Sequence, residues 1–278
     1  MELEQLKHLI ALDQYKTLSK AANELHISQP VLTRSMQKLE EDLEVSLFIR
    51  TKNKISLNDN GLMAVDLAKE IVTKTDEMKK KLKNYDRSKN TFSIGSCAPA
   101  PNIYIGQKVA QIYLEKTILS EIKDIDELVK GLYDHTYSII IMPYEIEDDN
   151  IESIEFMEEQ LYFSLPTDHK FKDRQSLSLK EMDGERMLLM SNIGFWHHMH
   201  KKMMPHTKFL IQEDRSIFYD LVELSSLASF TSDFMMNLEG KRENRIIVPI
   251  SDQEAHATFY CCYLKENENK LKTLLYRL

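Results

Sequence analysis

Apolar side chains recur at helical spacing in three stretches near the start of the chain. Residues 3–12 form the first stretch, which predicts an amphipathic helix. In the second, Ala21, Ala22 and Leu25 share one face, and their small side chains allow another helix to approach closely. In the third, apolar residues recur at intervals of four, three and four positions: Leu32, Met36, Leu39 and Leu43. These spacings predict three short helices, with a turn at residues 26–28 before the last of them.

The third helix is predicted to begin at Gln29. Ser28 is a good N-cap because its hydroxyl can accept a backbone N–H of the first turn, and Pro30 sits where a missing N–H costs little. The buried stripe leaves a polar face pointing outward: Gln29, Thr33, Arg34, Gln37 and Lys38. Gln can pair with adenine and Arg with guanine, each pair contributing about 1–3 kcal/mol of discrimination. This face suits a major groove, although a solvated helix face explains the same residues taken alone.

Two short strands with basic residues between them follow the helices. Residues 47–50 and 55–57 are predicted as strands around a turn at residues 51–54. Arg50, Lys52 and Lys54 can reach phosphates or a minor groove, where they would position the protein without reading sequence. Two helices joined by a turn and followed by a basic hairpin have the layout of a winged helix-turn-helix, which predicts DNA binding.

The pattern AA-x-x-L-x-x-S-Q-P is intact between Ala21 and Pro30. Together with the stretch from Leu6 to Gly61, it resembles the LysR-type transcriptional regulators. Glu44 stands where that family usually has Gly, and Asn58 and Asn60 replace its usual residues after the hairpin, but Asn58 can still cap the next helix. The resemblance implies DNA contacts from the third helix and the hairpin: Ser28, Gln29, Pro30, Thr33, Arg34, Gln37, Lys38, Arg50, Lys52 and Lys54.

A long helical pattern without proline runs from Asn58 to about Tyr85. Its residues alternate at four and three positions, as in a heptad seam: Ala64, Ala68, Ile71, Thr75, Met78, Leu82 and Tyr85. Such a seam packs against another helix, either within its own domain or in a second copy of the chain. A charged linker at residues 83–90 follows, and the resemblance implies that the helix forms a dimer.

From Thr91 the pattern changes to short apolar runs that alternate with helical segments. The predicted strands are residues 91–96, 116–122, 137–143, 160–166, 186–190, 208–212, 227–231 and 258–264. The predicted helices between the first strands are residues 103–113 and 125–133, and a last helix ends the chain. The order β-α-β-α-β predicts a parallel sheet, and a two-lobed α/β layout of this kind holds a ligand between its lobes.

The predicted fold class is therefore α+β with several domains. It combines an N-terminal winged helix-turn-helix, a long linker helix and a C-terminal two-lobed α/β domain. The resemblance to the LysR-type regulators implies that this last domain binds an effector and is similar to type 2 periplasmic binding proteins. The boundaries implied by the resemblance are residues 1–58 for the DNA-binding domain, 59–90 for the linker helix and hinge, and 91–278 for the effector domain. Lobe I is expected at 91–160 and 250–278, and lobe II at 161–249.

The resemblance also implies an effector pocket built from loops and strand ends. The positions it indicates are Ser96, Cys97, Ala98, Ala100, Asn102, Ser191, Asn192, Ile193, Thr231 and Ser232. Hydroxyl groups and a helix N-terminus that converge there could hold a carboxylate or similar anion. Ordinary turn residues are the alternative explanation for each of these positions.

The sequence disfavours metal sensing and redox sensing. The cluster of His197, His198, His200 and His206 suggests a metal site, but on a helix His198 points away from the others, and no carboxylate or cysteine lies close in sequence. Cys97 as a redox switch has no resolving cysteine nearby in sequence. The adjacent Cys261 and Cys262 point to opposite faces of a strand, so no disulfide framework is expected. Neither a metal nor another cofactor is predicted.

Composition and charge narrow the partners. The 278 residues are 42% hydrophobic and 29% charged, as in an ordinary globular protein. The acidic N-terminus is unlike a signal peptide, and no apolar run approaches the ~20 residues that span a bilayer, so we expect a cytoplasmic protein that does not enter membranes. Residues 1–90 carry 16 Lys and Arg against 14 Asp and Glu, whereas the remainder carries 20 against 30. A half that is only mildly basic needs two copies to bind DNA well.

These observations predict a non-enzymatic regulator of transcription, since no catalytic motif of a known kind is present. It would bind a partly palindromic operator in double-stranded DNA as a homodimer through the linker helix, paired further into a homotetramer, and respond to a small-molecule effector. An alternative is a ligand-binding module whose N-terminal domain binds a protein partner. A metal-sensing or thiol-sensing regulator is another.

Overall fold

The computed structural model describes residues 1–51, 54–240 and 242–278 of the chain, and it leaves out the side chains of Arg50, Thr51 and Lys54. The predicted phosphate contacts of Arg50, Lys52 and Lys54 therefore lie outside the described residues. The chain divides into two compact units, residues 1–83 and 84–278.

The first unit is helical with one small hairpin. Its elements are α1 (Leu3–Tyr15), α2 (Leu18–Glu24), α3 (Gln29–Leu43), β1 (Phe48–Thr51), β2 (Lys54–Leu57) and α4 (Asp59–Ser88), the last of which continues into the second unit. β1 and β2 pair antiparallel. Leu9, Ala21, Leu32 and Leu39 are fully buried in its core. The small Ala21 and Ala22 let α2 lie close to its neighbours, as their spacing predicts.

The third helix begins at Gln29 as predicted, but Ser28 does not cap it through its side chain. Ser28 has the extended backbone of an N-cap, yet its hydroxyl makes no capping bond to the described residues. The reason lies in the first turn, where Pro30 has no N–H and the N–H of Val31 already donates to the carbonyl of Ser28 at 3.0 Å. The predicted buried stripe is also shorter than expected, since Leu43 at its end is exposed.

Two departures from the family pattern have clear structural consequences. Glu44 ends α3 with a φ of 57°, a left-handed conformation that glycine adopts without steric cost. This explains why a glycine is usual at the position. Asn58 caps α4 as predicted, because its Oδ1 accepts the backbone N–H of Gly61 at 2.8 Å.

The second unit is an α/β domain, and its described residues form a nine-stranded mixed sheet. Its strands are β3 (Thr91–Ser96), β4 (Thr117–Ile122), β5 (Ile139–Met142), β6 (Ile151–Pro166), β7 (Arg186–Met190), β8 (Lys208–Gln212), β9 (Ala228–Ser232), β10 (Arg245–Pro249) and β11 (His256–Leu264). Its helices are α5 (Pro99–Ile112), α6 (Ile125–Tyr133), α7 (Leu179–Met182), α8 (Trp196–Met203), α9 (Arg215–Leu224), α10 (Asp233–Glu239) and α11 (Glu268–Leu275). The strand order is β4-β3-β5-β11-β6-β9-β7-β8, and β10 also pairs with β6.

The long strand β6 joins the two halves of this sheet. Its residues 151–160 pair with β11, and its residues 161–166 pair with β9 and β10, in each case antiparallel. The predicted parallel arrangement holds on either side, since β3 pairs parallel with β4 and β5, and β7 with β8 and β9. Gln160 marks the change of partners, and its side-chain amide donates to the carbonyl of Ala255 at 3.2 Å.

The stretch predicted as a charged linker is largely helical. α4 continues to Ser88, and Asn84 within it donates from Nδ2 to the carbonyl of Asp134 at 2.9 Å and to Oγ1 of Thr136 at 3.0 Å. These bonds hold the end of α4 on the second unit. Most charged side chains between positions 83 and 90 therefore lie on the exposed faces of this helix.

Candidate nucleic-acid interface and ligand cavity

The outward face of α3 has the character that its sequence predicts. Gln29, Arg34, Gln37 and Lys38 are exposed, whereas the opposite face of the helix is buried. Thr33 is half-buried, and its Oγ1 donates to the carbonyl of Gln29 at 2.9 Å. The exposed amide group of Gln37 and guanidinium group of Arg34 have the donors and acceptors that bind a base edge.

The residues at the start of α3 lie beside this face. Ser28 and Pro30 are both exposed. The side chain of Gln29 is oriented by the hydroxyl of Ser19, which donates to its Oε1 at 2.9 Å. The first turn of α3 is thus accessible, and an accessible first turn is the part of a recognition helix that contacts base edges.

α4 exposes an apolar stripe along its second half. Ile71, Met78 and Leu82 of the predicted seam are 43%, 56% and 62% exposed. The beginning of the seam differs from the prediction, because Ala68 is buried in the core of the first unit and Ala64 packs against that core. The first turns of α4 therefore belong to the helix-turn-helix domain itself, and the unpaired stripe starts near Ile71.

A cavity of about 450 Å³ lies in the second unit, beside the point where β6 changes partners. Its wall comes from α5, α9 and α10 and from strands on both sides of β6. Aliphatic, aromatic and methionine side chains form most of it, among them Leu161, Met190, Trp196, Phe218, Phe230 and Met235. This volume and lining are typical of a site for a small organic molecule.

Six of the positions indicated for an effector line this cavity. They are Ala100, Asn102, Asn192, Ile193, Thr231 and Ser232. The other four, Ser96, Cys97, Ala98 and Ser191, do not belong to the cavity wall formed by the described residues. What binds to the six remains a prediction.

The loop after β3 is closed off by the chain itself. The hydroxyl of Ser96 is fully buried and donates to the carbonyl of Ala98 at 2.8 Å. The carbonyl of Cys97 accepts the backbone N–H of Phe195 at 2.8 Å. Burial raises the pKa of the Cys97 thiol well above its usual value, so the reactive thiolate is disfavoured there.

The N-terminus of α5 offers fewer donors to an anion than the sequence prediction assumed. α5 begins at Pro99, and Pro101 follows two residues later. Neither proline has a backbone N–H, so two of the donors that a helix N-terminus normally presents are missing. The hydroxyl of Ser232 is also engaged, since it accepts the N–H of Met235 and caps α10. An anion would find few unoccupied donors at these positions.

Glu159 is a cavity residue that the sequence did not identify. Its side chain is 3% exposed, and it lies on β6 next to the change of partners. Burial raises the pKa of this carboxyl to about 7, although hydrogen bonding to the side chains of Ser232 and Trp196 acts in the opposite direction, and the charge of Asp233 adds to the rise. Within the described part of the chain, its Oε2 has no hydrogen-bond partner.

Arg245 is the second cavity residue missed in the sequence. Its guanidinium is buried and donates to Oγ of Ser164 at 3.1 Å and to the carbonyls of Ser164, Val222 and Leu227 at 2.6, 3.3 and 2.7 Å. Burial lowers its pKa to about 10, which still leaves it charged at neutral pH. Its donors are used to fix β6, α9 and the loop after α9 together.

A polar cluster of α9 and α10 lies in the same wall. Arg215 donates to Oε1 of Glu239 at 2.7 Å and to the hydroxyl of Tyr219 at 3.0 Å. Arg242 lies over the ring of Tyr219, 4.8 Å from its centroid, and donates to Glu223 at 2.7 Å. Each of these guanidinium groups therefore already has a carboxylate partner.

The histidines of α8 do not assemble a metal site in the structure. Nδ1 of His197 lies 3.4 Å from Nε2 of His200, whereas His206 contacts the carboxylate of Asp183. Among residues 1–51, 54–240 and 242–278, no group of three or more His, Cys, Asp or Glu side chains is arranged to hold a metal ion. In the same residues, no helix is both long and apolar enough to cross a membrane.

Comparison with known proteins supports this reading of the first unit. Residues 3–62 match the family described as "Bacterial regulatory helix-turn-helix protein, lysR family". The chain is 28% identical over 198 residues to the uncharacterized HTH-type transcriptional regulator YybE of Bacillus subtilis, covering 68% of this chain and 66% of the relative. It is 21% identical over 196 residues to the DNA-binding transcriptional dual regulator OxyR of Escherichia coli, covering 69% and 64%. The matched part thus spans slightly less than two thirds of these relatives.

The solved structure of full-length BenM extends the likeness of fold to the whole chain. It covers 100% of this chain and 95% of its own, with a TM-score of 0.50 and 21% identity. The predicted fold class, an N-terminal helix-turn-helix followed by a C-terminal α/β domain, is confirmed. Residues 3–62 therefore form a LysR-type helix-turn-helix domain at the N-terminus of the chain.

Proposed function

We propose that this protein is a sequence-specific DNA-binding regulator of transcription, controlled by a small molecule bound in the cavity of residues 84–278. The observation that carries the proposal is the exposed face of α3, with Arg34 and Gln37 presented by a LysR-type helix-turn-helix domain. Arg and Gln are the side chains that read guanine and adenine by paired hydrogen bonds. As a regulator of bacterial genes it would act in the cytoplasm, and catalysis has no part in the proposal.

Replacing Arg34 by alanine is expected to relax sequence preference. The loss of one base contact costs about 1–3 kcal/mol, so binding to the operator weakens by up to ~100-fold while binding to random DNA changes little.

Lys52→Ala is expected to weaken binding to operator DNA and to random DNA about equally, and to reduce the slope of the salt dependence by about 1. Gel shifts with the DNA upstream of the protein's own coding region, at several salt concentrations, measure both effects.

The control for these variants is Lys202→Ala, which removes an exposed cation from α8 in the other unit. It should leave both affinities unchanged. Equal losses on operator and random DNA for Arg34→Ala would remove its assigned role in base reading. A wild-type chain that binds neither DNA would favour a protein partner for the N-terminal domain and contradict the proposal.

The proposed regulator is a dimer through α4, paired further into a tetramer on a partly palindromic operator. An exposed apolar stripe of Ile71, Met78 and Leu82 on one helix supports this arrangement, because residues three and four positions apart form the contact stripe of paired helices. A domain of mild positive charge also gains affinity when two copies bind two half-sites. The effector would act by changing how the paired DNA-binding domains are held.

Leu82→Asp is expected to raise the dissociation constant of the dimer by at least tenfold, because it places a charge in the apolar contact. Thr73→Asp is the matched control, since Thr73 is exposed on the opposite side of the same helix. Sedimentation equilibrium of the full chain measures the association. Equal effects of the two variants, or a wild-type chain that stays monomeric, would argue against dimerisation through α4.

A further inference from the structure

In the part of the chain that the structure describes, the wall of the cavity contains two buried oxygen atoms without a hydrogen-bond partner. Among the described residues, three buried side-chain N or O atoms lack a hydrogen-bond partner, and two of them belong to the cavity wall: Oδ1 of Asn102 and Oε2 of Glu159. Leaving such an atom unsatisfied destabilises the folded protein. Native proteins satisfy nearly all buried polar atoms with protein, water or a ligand. The amide oxygen of Asn102 and an ionised Glu159 can only accept, so a molecule that satisfies both atoms in this state has to donate hydrogen bonds.

The charged side chains of the cavity wall favour a ligand with a cation beside Glu159 over a ligand with an anion beside one of the arginines. Asp233, which accepts the backbone N–H groups of Gln160 and Phe234, adds negative charge near Glu159. The cationic side chains in the described part of the wall are Arg215, Arg242 and Arg245, and each donates to protein acceptors. An organic anion would have to compete with the carboxylates that Arg215 and Arg242 already bind and with the carbonyl and hydroxyl oxygens that Arg245 binds. An ammonium group would meet a carboxyl group that has an oxygen without a partner.

We propose that the cavity binds a small molecule with an apolar body and a protonated amino group, and that the amino group donates to Glu159. The proposal rests on the proposed function, because it names the chemical class of the effector. Trp196, Phe230 and Met235 surround the apolar body. The three N–H donors of an ammonium group match a wall that presents acceptors, and an ion pair in this buried setting is stronger than one at the surface.

The proposal departs from the anion expected from the sequence. That expectation required donors at the start of α5, where Pro99 and Pro101 have none. It also required the hydroxyl of Ser96, which is buried outside the cavity wall. The residues with unsatisfied atoms therefore favour a cationic ligand, whereas the residues indicated by the resemblance favoured an anion.

The test uses the full chain and three amines, phenethylamine, tryptamine and hexylamine, each compared with the alcohol and the carboxylate of the same carbon skeleton. We expect at least one amine to raise the unfolding temperature and to give a measurable heat of binding, with its carboxylate causing no shift. Glu159→Gln should weaken that amine by at least tenfold and leave the affinity for the matched alcohol within twofold. The control Glu158→Gln, at an exposed position next to it, should change neither affinity.

A second measurement on the unmodified chain covers the case in which Glu159→Gln does not fold. Calorimetry near pH 6 in two buffers of different ionisation enthalpy counts the protons exchanged on binding. An amine that ionises the Glu159 carboxyl releases a proton to the buffer, whereas the alcohol releases none. Binding of an amine without proton release, stabilisation by the carboxylates instead, or no binding by any of the three amines would overturn the proposal.

The outcome is separable from that of the proposed function. Gel shifts without any ligand test DNA binding alone, and they do not depend on the cavity. Retained operator binding with no response to amines would leave the regulator and reject the ligand class. A response to amines in a chain that binds no operator would reject the regulator and leave the amine site.

Discussion

Replacing Gly194 by alanine is expected to lower the free energy of unfolding of residues 84–278 by about 2–5 kcal/mol. An added Cβ would lie 1.9 Å from the carbonyl oxygen of Cys97 and 2.8 Å from its carbonyl carbon. These are backbone atoms, so relief requires the loop after β3 to move, and the adjacent hydrogen bond from Phe195 to Cys97 is lost. Gly194 also has a φ of 61°. The left-handed conformation costs an alanine about 1–2 kcal/mol and overpacking about 1–3 kcal/mol.

Two other glycines separate these causes. Gly184 also has a positive φ, 92°, but a Cβ there meets no atom of the described residues within 4 Å, so Gly184→Ala should show the backbone cost alone. A Cβ at Gly106 within α5 likewise meets no described atom, and its φ is ordinary, so Gly106→Ala should stabilise by about 0.5–1 kcal/mol. Urea unfolding of the full-length variants measures all three. If Gly194→Ala is no less stable than Gly184→Ala, then the loop after β3 and the segment that contains Gly194 are not in close contact.

The contact at Gly194 also bears on the cavity. It joins the loop after β3 to the start of α8, the helix that carries Trp196 into the cavity wall. A variant that loosens this contact should therefore lose ligand binding along with stability, whereas Gly184→Ala should lose only stability. Cys97 contributes to this contact through its backbone carbonyl, which accepts the N–H of Phe195, and not through its thiol.

Sequence spacing was a good guide wherever one local pattern determined the element. The strand Thr91–Ser96 and the helix Ile125–Tyr133 have the bounds that their apolar spacing predicts. The first half of β6 escaped prediction for a physical reason. The register between β6 and β11 shifts between Phe259 and Tyr260, an irregularity that breaks the period-two alternation on which strand prediction depends. The acidic side chains along that stretch further obscured the strand.

The candidate site was only partly predictable, because its chemistry depends on contacts distant in sequence. Loops such as residues 192–193 could be placed from the resemblance, and they do line the cavity. Glu159 could not, since the groups that shift its pKa belong to the distant elements α8, β9 and α10. Arg245 acquires its partners from β6 and from the region of α9, up to 81 positions away. A lone charged residue in a sequence gives no sign that such partners will surround it.

The stability of the chain is expected to fall as pH rises from about 4.5 to about 7 through the titration of Glu159. Its pKa is about 7 in the folded protein, against an ordinary value of 4.5. Between these values the folded state holds a proton that the unfolded state has released, so a rise in pH favours unfolding. Below the range both states are protonated, and above it both are ionised. At 1.36 kcal/mol per pKa unit, the full loss is about 3 kcal/mol.

Glu159→Gln isolates this contribution from those of other titrating groups. Buried histidines such as His200, whose pKa is lowered by burial, change stability with the opposite sign, but they do so equally in both proteins. We therefore expect the stability of Glu159→Gln relative to wild type to increase by about 3 kcal/mol between pH 4.5 and 7.5, as measured by urea unfolding at each pH. Glu158→Gln, at an exposed carboxyl, should show no such trend. A flat difference for Glu159→Gln would mean that the Glu159 carboxyl is already ionised in the folded protein at pH 4.5, and that its buried setting is compensated by a cation.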